Sequence, residues 1–559
     1  MVRAFALFSV AVAFCILFAA ARPEKIHFRE VASERGLTAR LHSGDPARRW
    51  IPEANGTGAA WLDYDNDGWM DLLIVNGADM SVFRQVADGR TPPPRAGGVF
   101  LYRNLGNGRF EDVTAKAGLA NPYWGTGANA ADYNNDGYTD LFITTIGLDL
   151  LYRNNGDGTF TEVGRQAGLS PKMAWHTGSA FGDYDGDGHL DLYIAGYVGF
   201  DALRWGAAPP VCQYRGVPGF CGPIGLKGAA DMLYHNNGDG TFTEVTRQAG
   251  VADKSLYHGF TALFLDFNGD GKPDIFVAND SDPNYLYLNR GDGTFEEAAL
   301  TSGLAFNGDG QAQSNMGVAV GDYDNDGLID ILTTTFSEDY FPLFRQSQPG
   351  FYQDVSARAG LSSVTLPWVG WACGFTDFDN DGWRDLWLSN GHVYPQADLL
   401  PTSSYRQPFV VLRNVAGRFT LAPGILDRPS KDTYRGGAAC DFNNDGKMDL
   451  VVLPLEGPPV LLENDTQTPG NWIGLRLQGT RSNRDALGSI VRVQACGQTY
   501  VDALHNGGSY LSRDDPRLHF GLGDCPAVDR VTVRWPAGRE QTFLRPPVNR
   551  YSTLREPAS

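Results

Sequence analysis

One pattern constrains this chain more than any other: D-x-[D/N]-x-D-G-x-x-D. It starts at Asp63, Asp132, Asp183, Asp266, Asp322, Asp377 and Asp441, at intervals of 69, 51, 83, 56, 55 and 64 residues. A unit recurring in this way is one supersecondary element repeated, each copy burying its apolar face against its neighbours. Each copy follows a run of small residues, as in Gly317-Val318-Ala319-Val320-Gly321, and precedes an apolar run, as in Asp71-Leu72-Leu73-Ile74-Val75. The acidic loop therefore joins two strands. Further along, Leu151-Tyr152-Arg153-Asn154 and Thr159-Phe160-Thr161-Glu162-Val163 flank Asn155-Gly156-Asp157-Gly158. Its Asn-Gly and Asp-Gly pairs supply the positive φ that tight hairpins need. Four strands per repeat predict an all-β, seven-bladed β-propeller.

The chain ends sharpen this expectation. An outer strand beginning at Phe110, Phe160, Phe242, Phe295 and Phe351, and in degenerate form at Phe419, closes most repeats. None follows the seventh loop, whereas Phe28-Arg29-Glu30-Val31 stands alone near the N-terminus. The N-terminal strand is expected to complete the last blade, which removes two open sheet edges. Residues 22–467 are assigned to the propeller. Residues 468–559, with alternation such as Val531-Thr532-Val533-Arg534-Trp535, are assigned to a small C-terminal antiparallel β domain. Residues 1–21, Arg3 followed by an apolar run ending in Ala19-Ala20-Ala21, read as a signal peptide, so a secreted, periplasmic or cell-surface protein is expected, with no membrane span after signal removal.

Within each acidic loop, side chains one, three and five converge when the chain curls. The glycine at six allows the turn, the carbonyl at seven adds an oxygen, and the acid at nine closes the shell. Oxygen donors in that number suit Ca²⁺, and up to seven ions are expected. The ligand sets are Asp63, Asp65, Asp67 and Asp71 with the Trp69 carbonyl, and Asp132, Asn134, Asp136 and Asp140 with Tyr138. Asp183, Asp185, Asp187 and Asp191 follow with His189, then Asp266, Asn268, Asp270 and Asp274 with Lys272. The last three are Asp322, Asp324, Asp326 and Asp330 with Leu328; Asp377, Asp379, Asp381 and Asp385 with Trp383; and Asp441, Asn443, Asp445 and Asp449 with Lys447. The three Asn-containing loops carry one charge fewer and are expected to bind more weakly.

The formal charge is −19, and seven divalent ions would bring it to −5. That acidity argues against nucleic acid as a partner, which needs basic surface. Leaving aside Cys15, six cysteines remain, an even number suited to an oxidising compartment. Cys212 and Cys221 flank a Gly/Pro-rich insertion and can close a short loop, Cys496 and Cys525 can pair, and Cys373 and Cys440 read as buried thiols.

These loops and strands resemble FG-GAP, or VCBS, repeats, known from integrin α-subunit propellers and secreted bacterial proteins. Asn471-Trp472-Ile473-Gly474-Leu475-Arg476-Leu477, Gly508-Ser509-Tyr510-Leu511-Ser512 and Pro516-Arg517-Leu518-His519-Phe520-Gly521-Leu522-Gly523 resemble an ASPIC/UnbV domain. The combination resembles the cartilage acidic protein family, its bacterial-type members in particular. The resemblance implies an extracellular calcium-binding propeller and no assigned reaction.

Ahead of the loops lie Asn55, Trp124, Trp175, His176, His258, Asn315, Trp371, Tyr434 and Arg435. Either they line a funnel for a sugar or other polar ligand, or their aromatics plug the central channel. No G-x-S-x-G nucleophile motif is present. The sequence favours a binding or adhesion module for an extracellular glycan or protein. The alternative is a polysaccharide hydrolase or lyase working through the funnel, with His176, His258 and His392 as candidate bases.

Overall fold

The computed structural model describes residues 26–93, 97–200, 211–428, 430–467 and 469–558. The signal-peptide reading of residues 1–21 lies outside them. The protein is all-β and propeller-like. Among the described residues, each acidic loop connects the first two strands of a four-stranded antiparallel unit. The first unit is Ala59–Leu62, Asp71–Val75, Val99–Asn104 and Phe110–Asp112, and runs of four strands in the same order follow along the chain, the second and third joined into one eight-stranded sheet where Ala174 faces Gly147 and Trp175 faces Ile146. In the last, Tyr434–Cys440, Asp449–Pro454 and Val460–Asn464 are completed by the N-terminal strand Phe28–Glu30, with Phe28 opposite Asn464 and Glu30 opposite Leu462. No helix of the described residues is long and apolar enough to cross a membrane.

Successive units are laced at their inner strands. Thr126 Oγ1 donates to His176 O (2.7 Å), Thr177 Oγ1 to Gly259 O (2.7 Å) and Thr261 Oγ1 to Met316 O (2.6 Å). Thr334 Oγ1 donates to Trp371 O (2.7 Å) and Ser389 Oγ to Arg435 O (2.6 Å). Gly58 N donates to Thr126 O at 2.9 Å, and Trp61 Nε1 reaches Ala438 O at 3.3 Å. The last unit thus meets the first.

The C-terminal residues form two further sheets. Asn471–Gln478 pairs with Leu518–Gly523 on one side and Tyr551–Arg555 on the other, while Ile490–Ala495, Gln498–Ala503, Arg530–Arg534 and Glu540–Leu544 form the second sheet. The antiparallel expectation needs correction here. Asn471–Gln478 and Tyr551–Arg555 run parallel, Gly474 facing Tyr551, because the chain crosses the second sheet before returning to the first. Disulfides join Cys212 to Cys221 and Cys496 to Cys525, and Cys373 and Cys440 are free and buried.

Between these sheets, residues 505–515 enter the centre of the ring. Gly507 bridges Leu263, Ser509 bridges Val318, Tyr510 bridges Gly437 and Arg513 bridges Ala60, so one segment is bridged to four units. Ala128 N donates to Leu511 O at 2.9 Å, and the buried Tyr510 hydroxyl donates to Asn55 O at 3.1 Å. This explains the small residues of the inner strands: a Cβ on Gly58 would lie 1.5 Å from Leu511 O. Truncation of Tyr510 leaves a cavity against Trp371 and Phe260, whose rings stand 4.9 and 5.4 Å away. Tyr510→Ala is expected to cost about 3–5 kcal/mol of unfolding free energy, measured by chemical denaturation.

Candidate metal centres

The acidic loops build themselves from their own side chains. The first Asp accepts the glycine amide at position six in every loop, from Asp132–Gly137 at 2.8 Å to Asp63–Gly68 at 3.3 Å. The fifth accepts the amide at seven in every loop, as Asp67 does from Trp69 at 3.0 Å. Position four takes a left-handed conformation, with φ between 56° and 59° at Asn66, Asn135, Asn325, Asn380 and Asn444 and 75° at Gly186 and Gly269. Asn and Gly are the residues that tolerate it.

The acid at position nine does more than the sequence suggested. Its Oδ1 accepts the backbone amide of an Asn or Gln on the third strand. The pairs are Asp71–Asn104 (2.7 Å), Asp140–Asn154 (2.7 Å), Asp191–Asn236 (2.8 Å), Asp274–Asn289 (2.8 Å), Asp330–Gln346 (2.8 Å), Asp385–Asn414 (2.9 Å) and Asp449–Asn464 (2.7 Å). The same amide side chain crosses to the preceding unit, as in Asn154 Nδ2 to Tyr64 O (2.8 Å) and Asn104 Nδ2 to Phe442 O (2.8 Å). A second set of links joins loop to loop. Asn66 Nδ2 donates to Gly137 O, Asn135 to Gly188 O, Asn325 to Gly382 O and Asn380 to Gly446 O, each at 2.9 Å, and Asn444 donates to Gly68 O at 3.4 Å. It stops where position four is glycine.

The donor set fits a hard divalent cation. Asp63, Asp65 and Asp71 each offer an oxygen within 4.8 Å of the others, as do Asp183, Asp185 and Asp187; Asp322, Asp324 and Asp330; and Asp377, Asp379 and Asp385. Buried oxygens on Asp63, Asp65, Asp140, Asp183, Asp266 and Asp324 accept no hydrogen bond, a costly state for a carboxylate unless something positive meets it. Burial pushes Asp140 and Asp330 up to about 9 and Asp274 up to about 8. It likewise pushes Asp132, Asp183, Asp322 and Asp441 up to about 7. The carbonyls of Trp69, Tyr138, His189, Lys272, Leu328, Trp383 and Lys447 occupy position seven of their loops.

The C-terminal sheets sit on these loops. Residues 471–559 carry twelve arginines, no lysine and eight acids, in a chain of net charge −19. Arg476 Nη1 pairs with Asp63 Oδ2 at 3.1 Å and Arg534 Nη2 with Asp266 Oδ2 at 2.6 Å. Arg517 Nη2 donates to Asp441 O at 2.8 Å, and the Tyr551 hydroxyl to Asp441 Oδ2 at 2.9 Å. Asp485 accepts the Asp132 amide at 3.0 Å.

The residues read either as a ligand funnel or as a plug of the channel lie inside the protein. Asn55, Trp124, Trp175, His176, His258, Asn315, Trp371, Tyr434 and Arg435 are all buried, so they form a packed floor over the segment that fills the channel. Arg435 lies 4.0 Å over the Trp371 ring and donates to the carbonyls of Ala54, Gly391, Tyr434 and His392, at 2.6, 3.1, 2.8 and 3.2 Å. Burial lowers it to about 9. His176 pairs with Asp149 at 2.5 Å and His258 with Asp282 at 2.7 Å. Asn315 accepts from the Thr333 hydroxyl at 2.8 Å, Tyr434 pairs with Ser430, and Trp175 packs edge-on against Tyr197 at 4.9 Å. Burial drops His392 to about 3.

Residues 93–143, 132–194, 266–333 and 377–452 match the FG-GAP-like repeat, and residues 479–559 match ASPIC and UnbV. The chain carries FG-GAP-like repeats and an ASPIC and UnbV domain. The acidic loop at Asp63 lies outside the matched repeats yet keeps their geometry. Cartilage acidic protein 1 of Homo sapiens is 28% identical over 373 residues, covering 64% of this chain and 50% of the human protein. The Mus musculus protein is 27% identical, covering 64% of this chain and 51% of its own length. The chain spans about half the length of these curated relatives. Among solved structures, an Agrocybe aegerita lectin that recognises non-reducing terminal N-acetylglucosamine is 17% identical, with 72% of this chain and 87% of that chain covered and a TM-score of 0.36. YCF48 bound to D1 peptide is 8% identical, with 79% and 98% covered and a TM-score of 0.39.

Of the site residues, the strand-three amides and the loop-to-loop asparagines escaped sequence reasoning. Their signal was present: Asn or Gln recurs after Leu-Tyr-Arg-like triplets, and Asn or Gly fills position four of every loop. The raised carboxylates give a pH dependence whose sign is fixed. Without a cation, the folded protein keeps protons on buried acids that the unfolded chain releases near pH 4. Stability of the chelated protein should therefore fall as pH rises from about 4 to about 9. Thermal melts in chelator across that range measure it.

Proposed function

We propose that this protein is an extracellular, calcium-loaded seven-bladed β-propeller that acts as a binding or adhesion module for a glycan or protein. The four-stranded units are its blades and residues 22–467 its ring, with residues 468–559 as a second domain docked on the loop face. The observation that carries the reading is the set of buried carboxylate oxygens without hydrogen-bond partners, repeated in loop after loop. Oxygen-only donors in flexible number favour Ca²⁺ over ions that demand nitrogen, sulfur or strict octahedral order. Bound calcium would neutralise each cluster and hold the first two strands of its blade at a fixed angle. Two disulfides support an oxidising compartment outside the cytoplasm. An enzyme working through a central funnel finds little support, because the residues that would line it pack against one another and against Tyr510.

Elemental analysis of the purified protein should find about seven calcium ions per chain, and chelation should lower the melting temperature markedly. Each filled site adds about 2.7 kcal/mol at a hundredfold excess of ion over its dissociation constant. Little calcium and an unchanged melt would refute the reading. If calcium is present, glycan and extracellular-protein arrays then seek the ligand. Asp140→Asn gives a sharper contrast. Asp140, pushed up to about 9, carries a proton at neutral pH without a cation. The substitution should cost under about 1 kcal/mol in chelator, yet remove about 2–3 kcal/mol of calcium-dependent stability.

A further inference from the structure

We propose that the third acidic loop is a mixed nitrogen–oxygen site that selects a first-row transition ion through the imidazole of His235. The proposal rests on the reading of the loops as cation sites and assigns one of them a different ion. The third strands of the units carry, before their conserved-register amide, Arg103, Arg153, His235, Leu288, Arg345, Arg413 and Glu463. In three loops the arginine lies on the acids: Arg103 on Asp65 (2.7 Å) and Asp67 (3.1 Å), Arg345 on Asp324 (2.5 Å), and Arg413 on Asp379 (2.7 Å) and Asp381 (3.0 Å). A guanidinium has no lone pair to give, so it competes with a cation for the same oxygens.

Histidine changes that chemistry. His235 Nδ1 stands 3.3 Å from Asp185 Oδ2 and 3.3 Å from Asp191 Oδ1. Asp185, Asp191 and His235 each present a donor atom within 4.8 Å of the others. Two ligand atoms sharing one ion at about 2.1 Å each, a right angle apart, lie about 3 Å from one another, close to the spacing seen. Nδ1 itself is buried and makes no good hydrogen bond, while the imidazole remains 28% exposed. A cation seated between the acids takes the place of the Nδ1 proton, which leaves to solvent, and the ring, keeping its proton on Nε2, turns the Nδ1 lone pair to the ion. The Tyr184 ring, 6.2 Å away and nearly perpendicular, flanks the imidazole. A second observation is independent of His235. Asp183, 3% exposed, has an Oδ1 that accepts no hydrogen bond, and it shares an oxygen cluster with Asp185 and Asp187. An imidazole among carboxylates raises affinity for first-row transition ions, whereas Ca²⁺ gains little from nitrogen.

Mn²⁺ is the probe. The calcium-saturated full chain is titrated with Mn²⁺, bound ion is counted by electron paramagnetic resonance, and pulsed methods test for directly coordinated ¹⁴N. The expected result is one Mn²⁺ held per chain against excess Ca²⁺, with a ¹⁴N coupling. His235→Arg, which installs the residue found at this register in the first, second, fifth and sixth loops, should weaken that binding about tenfold or more and abolish the ¹⁴N coupling. Mn²⁺ held without ¹⁴N coupling, held equally by His235→Arg, or not held at all overturns the assignment. The wild-type ¹⁴N measurement decides even if the variant misfolds. Calcium in the loops without selective Mn²⁺ sinks this inference alone, whereas no metal of either kind sinks the calcium reading as well.

Discussion

The buried acid at position nine of each loop is the joint on which the rest turns. It sits at the start of the second strand, fully enclosed, and accepts the amide of the third strand at 2.7–2.9 Å. A hydrogen bond from a backbone amide to a carboxylate is among the stronger ones a protein makes. The residue receiving that support, Asn or Gln, uses its own amide to hold the previous unit. Loop, blade-like sheet and neighbour are therefore tied by one short chain of contacts, repeated around the molecule. Removing an acid would loosen three elements at once.

Charge explains how the C-terminal sheets find their place. The acidic loops gather on one face, and residues 471–559 answer with arginine and no lysine. Arginine suits the task, because its planar fork can serve a carboxylate and a carbonyl together while remaining charged when half buried. Arg517 does this, meeting both Asp515 at 2.6 Å and Asp441 O at 2.8 Å. The docking is not a loose electrostatic contact, since residues 505–515 penetrate the ring and satisfy inner-strand amides that would otherwise lack partners. Arg484-Asp485 and Ser512-Arg513-Asp514-Asp515 are part of this seam, with Asp514 accepting Ala439 N at 2.7 Å.

Much of the architecture was legible because repetition makes a pattern visible that one copy would hide. The loops, their turn residues and the N-terminal strand opposite Val460–Asn464 were all readable from periodic Asp, Gly and Phe. The fate of the residues at Asn55, Trp124, Trp175 and Arg435 was not. Whether a ring of aromatics opens to solvent depends on what fills the space between its strands, and that filler, Gly508-Ser509-Tyr510-Leu511, lies far along the chain, 73 residues beyond Arg435 and 453 beyond Asn55. Nor does any local signal say that Asn471–Gln478 pairs parallel with Tyr551–Arg555. Such contacts are set by tertiary packing, which strand propensity does not encode.

The closing strand has a consequence for how the chain reaches this state. Phe28 lies opposite Asn464, so the N-terminal strand has no partner until more than four hundred residues have been made. The core-filling segment arrives later still. Contacts this distant in sequence demand closure of long loops before they repay it, and they form slowly. During synthesis the early units present unsealed sheet edges and an empty centre. The molecule becomes sealed only when its whole length is available, so an interrupted chain would be left sticky rather than merely shorter.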